Sequence, residues 1–154
     1  MLLLRVVTAL NEAKVKYAVA GGYAVALHGA VRGTVDVDLV IGLTKGDYVA
    51  AEGAMRSIGF EPRLPVSAEE VFDFRDEYRK NKNLVAWSFF NPKNPLEIVD
   101  IVITHDLKKL KSIAVSLGKT PIRILSIESL IAMKEESGRP QDREDIKALE
   151  RLRK

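Results

Sequence analysis

The chain has no cysteine. That excludes a disulfide framework, a thiol nucleophile and cysteine-held zinc or iron–sulfur centres, so its chemistry rests on carboxylates, amines, hydroxyls or two histidines. Charge of one sign is also scarce. The 24 Lys and Arg against 21 Asp and Glu leave a formal charge of +3, a balance that permits a polyanionic partner without demanding one. No apolar run approaches the roughly 20 residues of a membrane span, and the opening M-L-L-L-R lacks the charged start and cleavage pattern of a secretory signal. A cytosolic protein without a membrane partner is expected. Repeats, low-complexity tracts and linkers are missing too. The 154 residues, 47% of them hydrophobic, are enough for one core, and residues 1–154 are expected to form a single domain.

What the chain does have is a pair of aspartates in an apolar run, V-D-V-D-L-V-I from Val35 to Ile41, preceded by Gly21 and Gly22. Residues two apart on a strand project from one face, so Asp36 and Asp38 are expected on one side, with Val35, Val37, Leu39 and Ile41 turned to the core. Carboxylates inside a hydrophobic strand are costly unless a cation or a dense set of donors satisfies them. The ligand this pattern asks for is Mg²⁺ carrying a nucleoside triphosphate.

Apolar spacing predicts a helix over 2–13, a short buried strand over 17–20 that turns at Gly21 and Gly22 into a helix over 23–28, and the aspartate strand over 35–41. A helix over 47–58 closes at Gly59. F-E-P-R-L-P-V then breaks regular structure, and Ser67 caps a helix through Arg79. An aromatic strand over 84–90 and a second arm over 96–103 flank N-P-K-N-P as a hairpin. Asp100 stands in the middle of that second arm, a third acid of the same kind. A strand near 122–124, a Ser126-capped helix to Glu136 and a last helix over 142–153 complete the chain. Strands mixed with helices give an α/β or α+β class, a mixed sheet with helices packed on it and a helix pair at the C-terminal end. On one face, Asp36, Asp38 and Asp100 would suit two hard cations and in-line nucleotidyl transfer.

The residues resemble the nucleotidyltransferase superfamily of DNA polymerase β and the minimal nucleotidyltransferases. The match is to its Gly-Gly or Gly-Ser pair, a spacer of about a dozen residues, then Asp-x-Asp, here A-G-G-Y-A-V-A-L-H-G-A-V-R-G-T-V-D-V-D-L-V, with I-V-D-I-V downstream. R-G-T-V-D-V-D and the tail L-I-A-M-K-E-E-S-G-R-P-Q-D-R-E-D-I look like the toxin-type branch of the abortive-infection class. The resemblance implies transfer of a nucleoside monophosphate from an NTP, ATP among them, to an acceptor hydroxyl of tRNA, a protein or a small molecule. It implies Mg²⁺ or Mn²⁺ on Asp36, Asp38 and Asp100, with Asp100 helping to activate the acceptor. Gly21 and Gly22 would offer backbone N–H groups to the β- and γ-phosphates, and Lys134 would reach the triphosphate. A toxin or antitoxin partner follows from the same likeness. Many members have serine where this chain has Gly22, so one hydroxyl contact is missing here.

Each pick has a plainer competitor. Arg32 serves equally as a phosphate or base contact or as a partner of Asp36 or Asp38 when metal is absent. Lys134 also fits the surface of an amphipathic helix. Arg139, Asp142 and Asp145 read mainly as structural, Asp145 as a group positioning Lys134. His28 and His105 lack ligand-spaced partners and read as capping or solvent-facing, while Trp87, Phe89 and Phe90 read as core. The competing function is a non-catalytic nucleotide-binding module, and an intact set of three acids argues against it.

Overall fold

The apolar spacing of L-L-L-R-V-V-T-A-L makes Leu2–Glu12 a helix (α1) that buries Leu3, Val6, Val7 and Leu10. The structure is a computed structural model that describes residues 1–30, 33, 35–82 and 85–153. After α1 come β1 (Tyr17–Ala20), α2 (Gly21–Leu27), β2 (Val37–Ile41), α3 (Lys45–Ser57), β3 (Glu61–Pro62), α4 (Ala68–Asp73) and α5 (Arg75–Lys82). β4 (Ala86–Asn91) and β5 (Asn94–Val102) form the expected hairpin. A 3₁₀ turn at Leu107–Lys109 leads to β6 (Ser112–Leu117), β7 (Thr120–Leu125), α6 (Ile127–Ser137) and α7 (Pro140–Arg153).

One seven-stranded mixed sheet runs in the order β3-β4-β5-β2-β1-β7-β6. β2 lies parallel to β5 and antiparallel to β1, which in turn is parallel to β7. Parallel neighbours need long crossovers, and the chain between β2 and β5 supplies one through α3, α4 and α5. The central strands read as nearly continuous apolar runs, because β1 is buried throughout and Val37, Leu39, Val40 and Ile41 of β2 have no exposure. Trp87 and Phe89 are also buried, Trp87 stacked on Tyr48 at 5.6 Å between ring centroids. These aromatics fill the core. Among the described residues no helix is long and apolar enough to cross a membrane.

Three expectations are corrected. The aspartate strand starts at Val37, not Val35, so Asp36 sits in the bend before it and Val35 is 64% exposed. The reason lies in the neighbouring strand: β1 ends at Ala20, opposite Asp38, because Gly21 turns away into α2, and the β1–β2 ladder stops there among the described residues. The helix expected through Arg79 breaks at Phe74, whose backbone leaves the helical region (φ −106, ψ 21); Ser67 and Glu70 do form a capping box at its start. The strand near 122–124 is longer and is half of a second hairpin with β6, turned at Gly118 with φ 63. An edge strand with half-exposed apolar residues carries only a weak alternating signal.

Candidate active site

Register brings the acids together. β2 and β5 run parallel with Asp38 level with Asp100, and on the far side of β5 Ser88 of β4 is level with Asp100 as well. The Ser88 hydroxyl donates a short hydrogen bond of 2.5 Å to Asp100 Oδ1, which fixes that carboxylate. On the other flank Gly21 has a φ of 61, and a Cβ added there would stand 2.8 Å from Asp38 Cγ and overlap its Oδ2. Glycine is required twice, for the left-handed backbone and for the room taken by the carboxylate.

The acids share one field. Burial pushes the Asp38 carboxyl up to about 7, the negative charges of Asp100 and Asp36 add to that, and Lys134 and Arg139 partly offset it. Asp36 is raised as well, by burial and then by Asp100, against the Arg63 guanidinium. Among the described residues no three His, Asp or Glu side chains already converge as a metal cluster. The donors nevertheless fit a hard divalent cation: they are carboxylate oxygens, they repel one another, and the backbone beside them is kept clear by glycine.

The helix pair α6–α7 forms the opposite wall. Ser126 caps α6 by accepting the Ser129 N–H, and Gly138, with φ 66, closes it. The turn folds α7 back so that Lys134 Nζ donates to Asp145 at 2.8 Å and lies 3.5 Å from Asp142. Lys134 is thereby buried rather than spread along the surface of its helix. Arg139 Nε donates to Asp142 at 2.9 Å while its side chain stays 73% exposed. Burial works against the Asp142 charge, but hydrogen bonds from Arg139 and Ser137 outweigh it and hold the carboxyl at about 2.

A cleft of about 610 Å³ lies between these walls. Gly21, Asp38 and Asp100 line one side and Lys134, Arg139 and Asp142 the other, while Val85, Ala86, Val102, Leu130 and Met133 give it an apolar stretch. Gly22 is buried within α2, and Asp36 stands at the mouth of β2. Arg32 lies outside the described residues. Sequence reasoning missed Ser88, whose role needs the β4–β5 register, and Thr104, which shares the alternating face of Asp100 and Val102 and could have been found by period 2. It also read His105 as capping or solvent-facing. The ring lines the cleft, hydrogen-bonded to Thr104 Oγ1 and to Glu136, each at 2.8 Å. His28 sits elsewhere, against the Leu125 carbonyl at 2.8 Å.

A mixed sheet of this order with helices packed on it is the nucleotidyltransferase fold, and the protein is an enzyme of that class. Residues 2–154 match the model of the family described as nucleotidyl transferase of unknown function (DUF2204), and the chain belongs to that family. No curated protein sequence matches it. Among solved structures it is similar to ANT(2″)-Ia in complex with adenylyl-2″-tobramycin, with a TM-score of 0.63, 13% identity, and coverage of 96% of this chain and 85% of that one. The lincomycin-bound lincosamide antibiotic adenylyltransferase LnuA gives a TM-score of 0.63 at 16% identity over 98% of this chain and 96% of that one. An antigenic nucleotidyltransferase-like protein from Paracoccidioides brasiliensis gives 0.58 at 18% identity, over 96% and 74%.

Proposed function

We propose that the protein transfers a nucleoside monophosphate from an NTP, with ATP as the first donor to try, to an acceptor hydroxyl at Asp36, Asp38 and Asp100. The observation that carries this reading is the level placement of Asp38 and Asp100 on adjoining strands, with Gly21 pressed against Asp38 and Ser88 fixed on Asp100. Two similar folds carry adenylyl chemistry in their names, adenylyl-2″-tobramycin and a lincosamide adenylyltransferase, which favours adenylyl transfer here.

In the reaction the acceptor oxygen bonds to the α-phosphorus, the bond to the β-phosphate breaks, and pyrophosphate leaves. Mg²⁺ or Mn²⁺ held by the three acids would supply the positive charge that eases loss of the hydroxyl proton and stabilises the leaving group. The chain's own residues do the rest. Ser88 occupies Asp100 Oδ1 and so orients the carboxylate, whose Oδ2 takes the hydroxyl proton. Gly21 and Gly22 let the backbone approach the β- and γ-phosphates closely. Arg139 presents an exposed guanidinium to the same cleft, with Asp142 holding it in place. Lys134, tied to Asp145 and Asp142, adds positive potential near Asp38 from within the wall. We place this chemistry in the cytosol, where NTPs are abundant, within one domain.

Calorimetry of ATP with the protein tests the reading, because carboxylates that repel one another need a cation before they accept a triphosphate. Tight binding with Mg²⁺ and weak binding in EDTA is the expected pair of results. Equal affinity in both would refute it.

A further inference from the structure

The far end of the cleft carries polar side chains that the transfer chemistry does not use. β5 leads from Asp100 through Val102 toward Thr104, and four residues of extended chain carry it roughly 13 Å from the acids. Thr104, His105 and Glu136 line the cleft at that end. Lys134 and Arg139 line it at the other, where their charges act on Asp38. Between the two ends the lining is apolar, with Ala86 and Val102 coming from the sheet and Leu130 and Met133 from α6.

Hydrogen bonds fix the polarity of the far end. A carboxylate only accepts, so His105 Nε2, at 2.8 Å from Glu136 Oε2, carries the ring proton. In the neutral imidazole Nδ1 is then the acceptor, and the Thr104 hydroxyl donates to it at 2.8 Å. With its proton so placed, the Thr104 oxygen faces the cleft as an acceptor. The Glu136 carboxylate keeps most of its lone-pair sites beside it. These three side chains therefore offer acceptors and no donor to whatever lies in the cleft. The donors of the neighbouring wall are committed to that wall, Lys134 to Asp145 at 2.8 Å and Ser137 to Asp142.

Glu136 stands in the last turn of α6, where the helix dipole favours a cation over an acid. Its negative charge gains nothing from the helix, and the bond to His105 holds it at the cleft. A flat heteroaromatic ring suits the apolar stretch. A ring whose outer edge donates a hydrogen bond suits the end beyond it.

Within the proposed transfer reaction, on which this rests, we infer that Thr104, His105 and Glu136 select the donor nucleotide by its base. The phosphates lie at Gly21 and Arg139, and the base lies between Ala86 and Val102 on the sheet and Leu130 and Met133 on α6. An exocyclic amino group at its outer edge donates to Thr104 Oγ1 and Glu136. Adenine presents such a group at position 6. A 6-oxo purine brings a carbonyl oxygen against the same acceptors with no proton between them, which leaves both sides unsatisfied. His105 acts through the other two, as the residue that positions them.

Calorimetry of the full chain with ATP, ITP and GTP, each with Mg²⁺ at pH 8, tests this. ITP carries the same purine ring as ATP with oxygen in place of the 6-amino group. ATP should bind about tenfold or more tightly than ITP or GTP, as a hydrogen bond exchanged for two opposed acceptors requires. Thr104→Val keeps the shape of the side chain and removes its oxygen, while Glu136→Gln adds an amide donor. Each should bring the ATP-to-ITP ratio to within about threefold, Glu136→Gln by improving the binding of ITP. His105→Ala, which releases both partners, should narrow the ratio too. A purely structural role for these residues would weaken the three nucleotides alike and leave the ratio where it was. Equal affinities of the native chain for ATP and either 6-oxo nucleotide, or a ratio unchanged in Thr104→Val or in Glu136→Gln, would overturn the proposal and leave the transfer reading standing. A native chain that binds none of the three with Mg²⁺ would instead refute the transfer reading, and the base selection with it.

Discussion

Replacing Asp38 by Asn should make the metal-free protein more stable near pH 8 while removing its activity. The Asp38 carboxyl titrates at about 7 in the folded chain against an ordinary 3.8, so between about pH 4 and 7 the native state keeps a proton that the unfolded chain has released. Stability therefore falls as pH rises through that window and levels off above it. Three pH units correspond to at most about 4 kcal/mol. Asp36, also raised, works in the same direction, while Asp142, held down at about 2, contributes stability that is present above about pH 4 and lost on acidification below it. An amide at position 38 resembles the protonated acid, so the Asn variant should flatten the decline between pH 4.5 and 8. At pH 8 it should exceed the native chain by about 1 to 4 kcal/mol, or roughly 2 to 4 °C per kcal/mol in Tm. Thermal and urea melts in EDTA at pH 4.5, 6 and 8 measure this, and adding Mg²⁺ at pH 8 should stabilise the native chain alone. A native profile that is flat or rises from pH 5 to 8, or an Asn variant less stable than the native chain at pH 8, would refute the reasoning.

Other substitutions probe the walls of the cleft. Gly21→Ala places a methyl group on the Asp38 carboxylate and an L-residue at φ 61; it should cost about 1 to 3 kcal/mol in denaturant melts and cut transfer on the order of a hundredfold. Ser88→Ala removes the hydroxyl that fixes Asp100, so kcat should fall about tenfold to a hundredfold with KM for ATP nearly unchanged. Lys134→Met takes the charged donor away from the buried Asp145 and weakens the hold on Asp142, and chemical unfolding should show a loss of about 3 to 5 kcal/mol. A melt unchanged by Lys134→Met would place that amine outside the α6–α7 ion network.

The acids were legible because a carboxylate inside V-D-V-D-L-V or I-V-D-I-V is improbable without a purpose, and the strand-to-helix turn was legible because Gly21 and Gly22 interrupt an apolar run. Ser67 and Ser126 marked helix starts through their local hydrogen-bonding preference, which does not depend on the rest of the fold. What stayed hidden depends on distant pairing. Ser88 acquires its partner only when β4 and β5 fall into register, and Asp36 leaves the strand because β1, not β2, runs out of residues. Lys134 has the sequence of a helix-flank residue and becomes buried only when Gly138 folds α7 back to bring Asp142 and Asp145 against it. Its first role in the structure is therefore to tie the wall together. β6 went unseen because an edge strand buries too little to impose a clear alternation.

The central claim is that Asp36, Asp38 and Asp100 perform metal-dependent nucleotidyl transfer, and single-turnover assays with α-phosphate-labelled ATP and total cellular RNA test it most directly. The native chain with Mg²⁺ should move the label to an acceptor and release one pyrophosphate per transfer. Asp38→Asn and Asp100→Asn, checked for native folding by circular dichroism, should each lower that rate on the order of a hundredfold or more. A folded Asp100→Asn protein that transfers label at the native rate would contradict the account.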